Sequence, residues 1–89
     1  MPEGLSLMVL LRAEVRCVVF SPAGDLLAMA VGNGVWLVDA ETHTVLRVLH
    51  GHRGSVQSVA FSSVGRRLAT GSNDHTARIF SSEARYRLA

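Results

Sequence analysis

The sequence predicts an all-β protein built from two similar four-stranded antiparallel sheets. An internal repeat is the first observation: the stretch VRCVVFSPAGDLLA, beginning at Val15, returns as VQSVAFSSVGRRLA, beginning at Val56, at an offset of 41 residues. A repeat period of this length is typical of architectures made from stacked units. The second observation is that short β-branched runs alternate with turn residues, while no helical periodicity persists. Together these features predict two copies of one sheet.

The first copy of the repeat predicts four strands. They are short apolar runs bounded by turn residues, over residues 15–20, 26–31, 35–38 and 44–49. Pro22 and Gly24 favour a turn after the first strand, because proline fixes φ near about −65° and glycine tolerates positive φ. The segment 32–34, Gly-Asn-Gly, predicts a tight hairpin loop between the second and third strands.

The second copy repeats this plan with one inserted residue. Its strands are predicted over residues 56–61, 67–72 and 76–81, and a fourth strand is begun at 86–88. The insertion is visible because Leu37 matches Ile79 at an offset of 42 rather than 41. Residues 5–8 align with the fourth strand at 46–49. The segment 5–11 is therefore predicted to be a spare strand that could complete a neighbouring sheet.

These motifs resemble the WD-repeat β-propeller family. The best stretch is residues 49–81, which carries the pair Gly51-His52, the strand V-x-S-V-A-F, the strand L-A-T-G-S and the segment x-D-x-T-x-R-I in that order. The resemblance covers nearly the whole chain and implies that each sheet is a propeller blade. It implies an open, partial propeller: residues 1–14 as a spare outer strand and lead-in, 15–49 as a degenerate first blade, and 50–89 as a second blade with a truncated outer strand.

The resemblance also implies a polar network in the second blade. A typical blade of this family is tied by a His, a Ser or Thr on the second strand, a turn Asp and a Trp. Matching residue by residue assigns His52, Ser72 and Asp74 to the first three roles. A carboxylate in a tight loop can accept a hydrogen bond from an imidazole N–H and fix the approach of that strand. Phe80 stands at the Trp position and has no N–H to donate, so the network has at most three members.

The first blade departs further from this pattern. The Gly-His pair is replaced by leucines at positions 10 and 11, Asn33 replaces the turn Asp, and Val38 with Asp39 replaces Trp-Asp. Trp36 lies two residues before the Trp position and is interpreted as a core or blade-face aromatic residue. We expect apolar packing to hold this blade in place of a polar network.

Charge and composition exclude several classes of site. The nine basic residues are all Arg and are scattered, and the net charge is only +2, so a nucleic-acid surface is not favoured. Cys17 is the single cysteine, which argues against an internal disulfide and favours a small buried hydrophobic residue. The four histidines lack metal-ligand spacing, so no metal and no cofactor are predicted. No apolar run reaches membrane-span length, and a cytoplasmic protein is expected, with the nucleus as the alternative.

Two blades leave two sheet faces without a neighbour. Four strands of about five residues give a face of roughly 320 Å². If most of that area is apolar, covering one face stabilises the fold by roughly 4–8 kcal/mol. This is comparable with the whole stability of a small domain, about 5–15 kcal/mol. The uncovered faces are therefore central to what this chain does.

Three functional hypotheses follow. The first is a non-catalytic protein–protein interaction scaffold that needs self-association or further blades to complete a propeller, and whose partners contact Arg53, Asn73 and His75 on the loops. The alternative is a truncated or spurious fragment with no independent function, prone to aggregate at its open edges. The third is an enzyme. It is disfavoured, because the resemblance already assigns His52, Ser72 and Asp74 to a structural network and the sequence has no nucleophile elbow or phosphate loop.

Overall fold

The protein forms two antiparallel β-sheets in a computed structural model that describes residues 14–81 and 87–88. The first sheet contains β1 (Val15–Phe20), β2 (Leu26–Val31), β3 (Gly34–Asp39) and β4 (Val45–Leu49) in chain order. The second contains β5 (Val56–Phe61), β6 (Arg67–Ser72), β7 (Ala77–Ser81) and the two-residue β8 (Arg87–Leu88). The predicted all-β, two-sheet fold is confirmed. The predicted spare strand at 5–11 lies outside the described residues.

The hairpin between β2 and β3 is tighter than predicted. Gly34 belongs to β3, where it pairs with Val31, so the loop consists only of Gly32 and Asn33. A side chain at Gly34 would start only 3.1 Å from the Leu49 carbonyl oxygen, so the residue also permits the close approach of β4. The third strand extends to Asp39, whereas β4 and β7 each begin one residue later than predicted. The predicted start of the last strand, residue 86, lies outside the described residues.

The repeat in the sequence is also a repeat in the backbone. The pairing of β1 with β2 shifts between Val15 and Cys17, and the pairing of β5 with β6 shifts between Val56 and Ser58, 41 residues later. Each irregularity adds a residue to the first strand of its sheet, as a β-bulge does. The turns that follow these strands also match, since Gly24 and Gly65 have φ of 77° and 75°.

One apolar core lies between the two sheets. Its buried members are Ala28, Ala30, Val35, Leu37, Leu49, Val56, Val59, Leu68 and Phe80. The sheets also meet through their backbones, because the Val56 N–H donates to the Gly32 carbonyl at 2.8 Å. Such a core, shared by two stacked sheets, shows that neither sheet buries its apolar residues alone.

Strand alternation gives each sheet a joined face and an open face. In the first sheet, the joined Leu37 face contains Cys17, Val19, Ala28, Ala30, Val35 and Leu37, and the open Phe20 face contains Val18, Phe20, Leu27, Met29, Trp36 and Val38. In the second sheet, the joined Leu68 face contains Val59, Phe61, Leu68, Thr70, Arg78 and Phe80, and the open Ile79 face contains Ser58, Ala60, Ala69, Gly71, Ala77 and Ile79. Within the described residues, no strand covers the open faces, on which Phe20 is 65% exposed, Val18 50% and Ile79 46%, although Val38 on the Phe20 face is only 7% exposed.

The described part of the chain consists of strands joined by turns and loops. It contains no helix with the length and apolar character needed to cross a bilayer.

Candidate functional site

A buried imidazole lies at the centre of a polar cluster in the second sheet. The His52 side chain is 2% exposed, and its Nδ1 lies 3.0 Å from Asp74 Oδ2. Its Nε2 lies 2.7 Å from Thr70 Oγ1 on β6. In a neutral ring, Nδ1–H donates to the carboxylate and Nε2 accepts from the Thr70 hydroxyl. Both ring nitrogens are thereby satisfied, and the segment before β5 is fixed to the middle of the sheet.

Asp74 accepts hydrogen bonds from four donors. Besides the His52 ring, they are the Thr76 hydroxyl, the Thr76 N–H at 2.9 Å and the Arg53 N–H at 2.9 Å. The hydrogen bond from the Thr76 hydroxyl is the largest influence on the pKa of the Asp74 carboxyl, and burial, the second largest, opposes it. The Arg53 N–H, the His52 ring and the Thr76 N–H add to the lowering, so the pKa lies well below its ordinary value. The carboxylate is therefore charged throughout the neutral range and joins the β4–β5 connection to the β6–β7 loop.

Ser72 joins the polar cluster through backbone groups and does not contact the imidazole. Its hydroxyl donates to the Gly54 carbonyl at 3.0 Å and accepts from the Asp74 N–H at 3.1 Å. The hydroxyl that contacts His52 is that of Thr70, which the resemblance did not single out. Both residues lie on β6 two positions apart and so share a side of the sheet, but the buried His52 ring reaches the hydroxyl that is farther from the loop.

The Thr70 hydroxyl, the His52 ring and the Asp74 carboxylate are hydrogen-bonded in the order of a hydrolytic triad, but Thr70 is 3% exposed and the His52 side chain 2%, so this hydroxyl is closed to a substrate. Ser72 does not form a triad with His52 either. A nucleophilic serine must be hydrogen-bonded to the base that removes its proton. Here the Ser72 hydroxyl is bonded to backbone groups, while the His52 ring is held between Asp74 and Thr70. Within residues 14–81 and 87–88, no group of three or more His, Cys, Asp or Glu side chains could hold a metal ion. The cluster stabilises structure and does not form a charge relay to Ser72.

Three predicted contact residues lie beside the cluster at one end of the second sheet. Arg53, Asn73 and His75 are all exposed. Their backbones are nevertheless fixed, since the N–H groups of these residues donate to Asp74 Oδ2, the Ser55 carbonyl and the Ser72 carbonyl respectively. His75 adopts a φ of 69°, which completes the tight turn between β6 and β7. The result is a rigid loop pair, hereafter the Asp74 loops, that presents three exposed side chains.

Gly51 explains the Gly-His pair at the entry to the second sheet. Its φ is 141°, and a side chain placed on it would start 3.2 Å from Arg78 Cδ and Nε. The Arg78 side chain thus lies directly under the backbone that leads into His52. Its Nε is buried and has no hydrogen-bond partner among the residues that the structure describes. Close approach of the chain to β7 requires glycine at this position.

The first sheet lacks the side chains that hold this cluster. The position matching Thr70 is Met29, and the position matching Thr76 is Gly34, so neither carries a hydroxyl. The position matching His52 is Leu11, which lies outside the described residues. The inserted residue of the second copy falls in the loop 73–75, where the first sheet has only Gly32 and Asn33. The extra residue creates the turn that carries Asp74.

Sequence reasoning did not identify Thr70 and Thr76 as members of the cluster. A signal was present for Thr76, because an Asp followed two residues later by Thr is an arrangement in which the carboxylate can bond both the hydroxyl and the N–H. Choosing Thr70 over Ser72 required the depth of the His52 ring. That depth depends on how the segment 50–55 crosses the sheet, and a one-dimensional pattern does not contain it.

Comparison with known protein families gives a consistent result. The model of the family described as "WD domain, G-beta repeat" matches residues 43–81. Among curated proteins, the chain is 34% identical over 82% of its length to an intraflagellar transport protein 122 homolog of Xenopus tropicalis. It is 44% identical over 79% of its length to the vegetative incompatibility protein HET-E-1 of Podospora anserina. The chain spans only 6% of each of these two relatives.

Solved structures show the same architecture. The WD40 repeats of RRP9 superpose with a TM-score of 0.81, at 21% identity, over 88% of this chain and 25% of that chain. The Cps50 (Swd1) β-propeller domain of Myceliophteria thermophila superposes with a TM-score of 0.72, at 20% identity, over 79% of this chain and 23% of that chain. At these identities the likeness concerns the fold, and it matches the two sheets to part of a closed propeller.

Proposed function

Because this chain belongs to the WD-repeat family, whose members are generally protein-interaction scaffolds, we propose that it is a non-catalytic protein–protein interaction module. It supplies two blades of a propeller and depends on self-association or on further blades for its completion. Its partners are other proteins. The observation that carries the proposal is a fixed backbone beneath exposed side chains at the Asp74 loops.

The Asp74 loops have the properties of a preorganised contact surface. Binding is weakened when loops must be ordered on contact, so a backbone already held by hydrogen bonds lowers that cost. Arg53 offers a planar guanidinium that suits carboxylate recognition, while Asn73 and His75 offer further polar groups. This chemistry favours a partner surface with acidic and hydrogen-bonding side chains.

The proposed location is the cytoplasm, with the nucleus as the alternative. The support is indirect: a single cysteine without a disulfide partner, and relatives whose names refer to intraflagellar transport and to U3 small nucleolar RNA. The scattered arginines support a protein partner over a nucleic acid or a membrane surface.

The experiment is a capture assay with a loop variant and a matched control. The chain is immobilised as wild type, as Arg53→Ala/Asn73→Ala/His75→Ala, and as Val64→Ala/Arg66→Ala, whose changes lie in the exposed turn at the opposite end of the second sheet. Quantitative mass spectrometry then measures the retained proteins. We expect proteins retained by the wild type and the control to be lost from the loop variant.

Two results would contradict the proposal. Equal retention by all three forms would show that the Asp74 loops do not contact partners. Absence of hydrogen-exchange protection in β5, β6 and β7 would favour the alternative, a truncated or spurious fragment with no independent function, because a scaffold must hold its sheets together.

A further inference from the structure

The two sheets stack in a geometry that a second copy of the chain could also adopt. The Pro22 ring packs against Gly65, so the first turns of the two sheets lie side by side. At the level of the strands, Cys17 Sγ lies 3.8 Å from the Val59 carbonyl oxygen, and the Val56 N–H donates to Gly32. Equivalent features are therefore neighbours, and the second sheet follows the first without a shift along the strands.

This stacking is head to tail. The Leu37 face of the first sheet corresponds, 41 or 42 residues later, to the Ile79 face of the second sheet. The Leu68 face of the second sheet corresponds in the same way to the Phe20 face of the first sheet. The two open faces are thus of the two types that already pack together inside the molecule. Applying the same operation once more would place the Phe20 face of one chain on the Ile79 face of another.

The sizes of the side chains on the two open faces are complementary. Cys17 is level with Val59 in the existing contact, so the cross-strand row containing Cys17 opposes the row containing Val59. On the joined faces, the two opposed rows are Cys17, Ala30 and Val35 in the first sheet, and Val59, Thr70 and Arg78 in the second. On the open faces, the row equivalent to the Cys17 row is Ser58, Gly71 and Ala77, and the row equivalent to the Val59 row is Val18, Met29 and Trp36. The side chains of the Ser58 row are thus smaller than those of the Cys17 row, and the side chains of the Val18 row are bulkier and more apolar than those of the Val59 row. A packed contact between the Ser58 row and the Val18 row requires this compensation in size.

We infer that the occupant of each open face is a second copy of this chain, bound head to tail, with the Phe20 face of one copy on the Ile79 face of the next. This inference rests on the proposed function, since it names what completes the propeller. The contact is heterologous, and repeated heterologous association closes into a ring when the rotation from one chain to the next closes, as it does in the β-propeller that the two sheets superpose on. The chain covers about a quarter of each solved propeller, so a ring of that size holds about four copies.

Closure provides the stability that one contact lacks. A face of roughly 320 Å² on each side buries roughly 640 Å² in total, well below the ~1,200 Å² of a typical stable interface. A single face-to-face contact is therefore weak. In a ring every chain makes two such contacts. The last contact forms between chains that are already joined in one assembly, so their effective concentration is high.

Molecular mass in solution is the first test. Sedimentation velocity and light scattering on the 89-residue chain are expected to give a discrete species of about four times 9.6 kDa, or about 38 kDa. A monomer at every concentration reached would overturn the inference, as would a continuous distribution of large aggregates.

A mixing experiment tests the head-to-tail geometry. Phe20→Arg and Ile79→Arg each destroy one open face at an exposed position, so both variants are expected to fold and to sediment as 9.6 kDa monomers. Each variant retains the face that the other lacks. Their mixture is therefore expected to form a weak dimer of twice 9.6 kDa, about 19 kDa, that cannot close. Val64→Arg, at a 72% exposed position in a turn, is the matched control and is expected to keep the wild-type mass.

The outcomes separate this inference from the proposed function. If the mixture stays monomeric while the wild type is multimeric, the contact is not head to tail and the inference is wrong. If the wild type is monomeric but still retains proteins through the Asp74 loops, the second-copy inference fails and the scaffold proposal stands. If the ring forms but the loop variant retains the same proteins, the scaffold proposal fails and the inference stands.

Discussion

The two sheets share one backbone plan and are held together by different interactions. Both have a bulge in the first strand, a turn closed by a glycine of positive φ, and a serine that closes that turn. Ser21 Oγ accepts from the Leu26 N–H at 3.0 Å, and Ser62 Oγ accepts from the Arg67 N–H at 3.1 Å. The copies differ at the β2–β3 and β6–β7 loops. The β6–β7 loop is one residue longer, and the polar cluster is found in the second sheet.

Because of this difference, the two copies of the repeat present different kinds of surface. The second sheet fixes its loops through His52, Thr70, Asp74 and Thr76, and the side chains around them remain exposed. The first sheet has Met29 where the second has Thr70, and it presents an apolar face with Phe20 65% exposed. The second sheet is thus suited to presenting a rigid polar surface, and the first to packing against another sheet.

Leu27 and Leu68 give the largest contrast between the sheets, because they are equivalent positions with unequal burial. Leu68 is 0% exposed and belongs to the core, whereas Leu27 is only partly buried on the Phe20 face. We expect Leu68→Ala to lower the free energy of unfolding by about 2–5 kcal/mol, and Leu27→Ala to lower it clearly less. Urea denaturation in an Ile79→Arg background, expected to be monomeric, measures both, because Ile79 pairs with neither leucine. Leu68→Val serves if the alanine variant does not fold, and equal losses at the two positions would contradict the arrangement of faces.

His52 tests the polar half of the comparison. Replacing it with alanine leaves the Thr70 hydroxyl buried without its partner and removes one donor to Asp74. The expected loss of unfolding free energy is about 1–3 kcal/mol. His50→Ala is the matched control, because His50 is exposed two residues away, and thermal denaturation of the two variants compares them directly. A melting temperature unchanged in His52→Ala would show that the cluster does not stabilise the second sheet.

Thr70 and Ser72 test which hydroxyl holds the imidazole. Thr70→Val removes the group at 2.7 Å from His52 Nε2 and is expected to cost about 1–2 kcal/mol. Ser72→Ala removes bonds to the Gly54 carbonyl and the Asp74 N–H and leaves the ring contacts in place. The ¹⁵N chemical shift of His52 Nε2 separates the two cases. We expect it to move in Thr70→Val and not in Ser72→Ala, and the reverse result would show that the Ser72 hydroxyl, not that of Thr70, holds the imidazole.

The smallest expected effect is a difference in acid sensitivity. The folded-state pKa of Asp74 lies below its unfolded value of about 3.9, so its charged form contributes stability above that pH, and the contribution is lost as the pH falls further. Asp74→Asn should therefore flatten the decline of the urea midpoint below about pH 4. Hydrogen bonds from Thr42 and Glu41 also lower the pKa of Asp39, which lies on the first sheet, so Asp39→Asn is the control with a smaller expected change. Identical pH profiles for Asp74→Asn and the wild type would contradict the cluster.

The strands, the turns and their duplication can be predicted from local sequence patterns. These features follow from local chemistry: β-branched alternation specifies strands, and Pro22, Gly24 and Gly65 specify turns, wherever the rest of the chain lies. For the same reason the hairpin at Gly32-Asn33 was predicted, although the strand pairing of Gly34 was not.

Which side chains contact one another depends instead on how the segments pack in three dimensions. Thr70 rather than Ser72 contacts His52 because the segment 50–55 crosses the sheet at a particular depth. The Leu37 and Leu68 faces are covered, and the Phe20 and Ile79 faces are open, because one sheet stacks on the other in one direction. Period-two alternation predicts which residues share a face of a strand, but it does not predict which face another sheet will cover. The covered face depends on packing between residues about forty positions apart, and local sequence patterns do not contain that information.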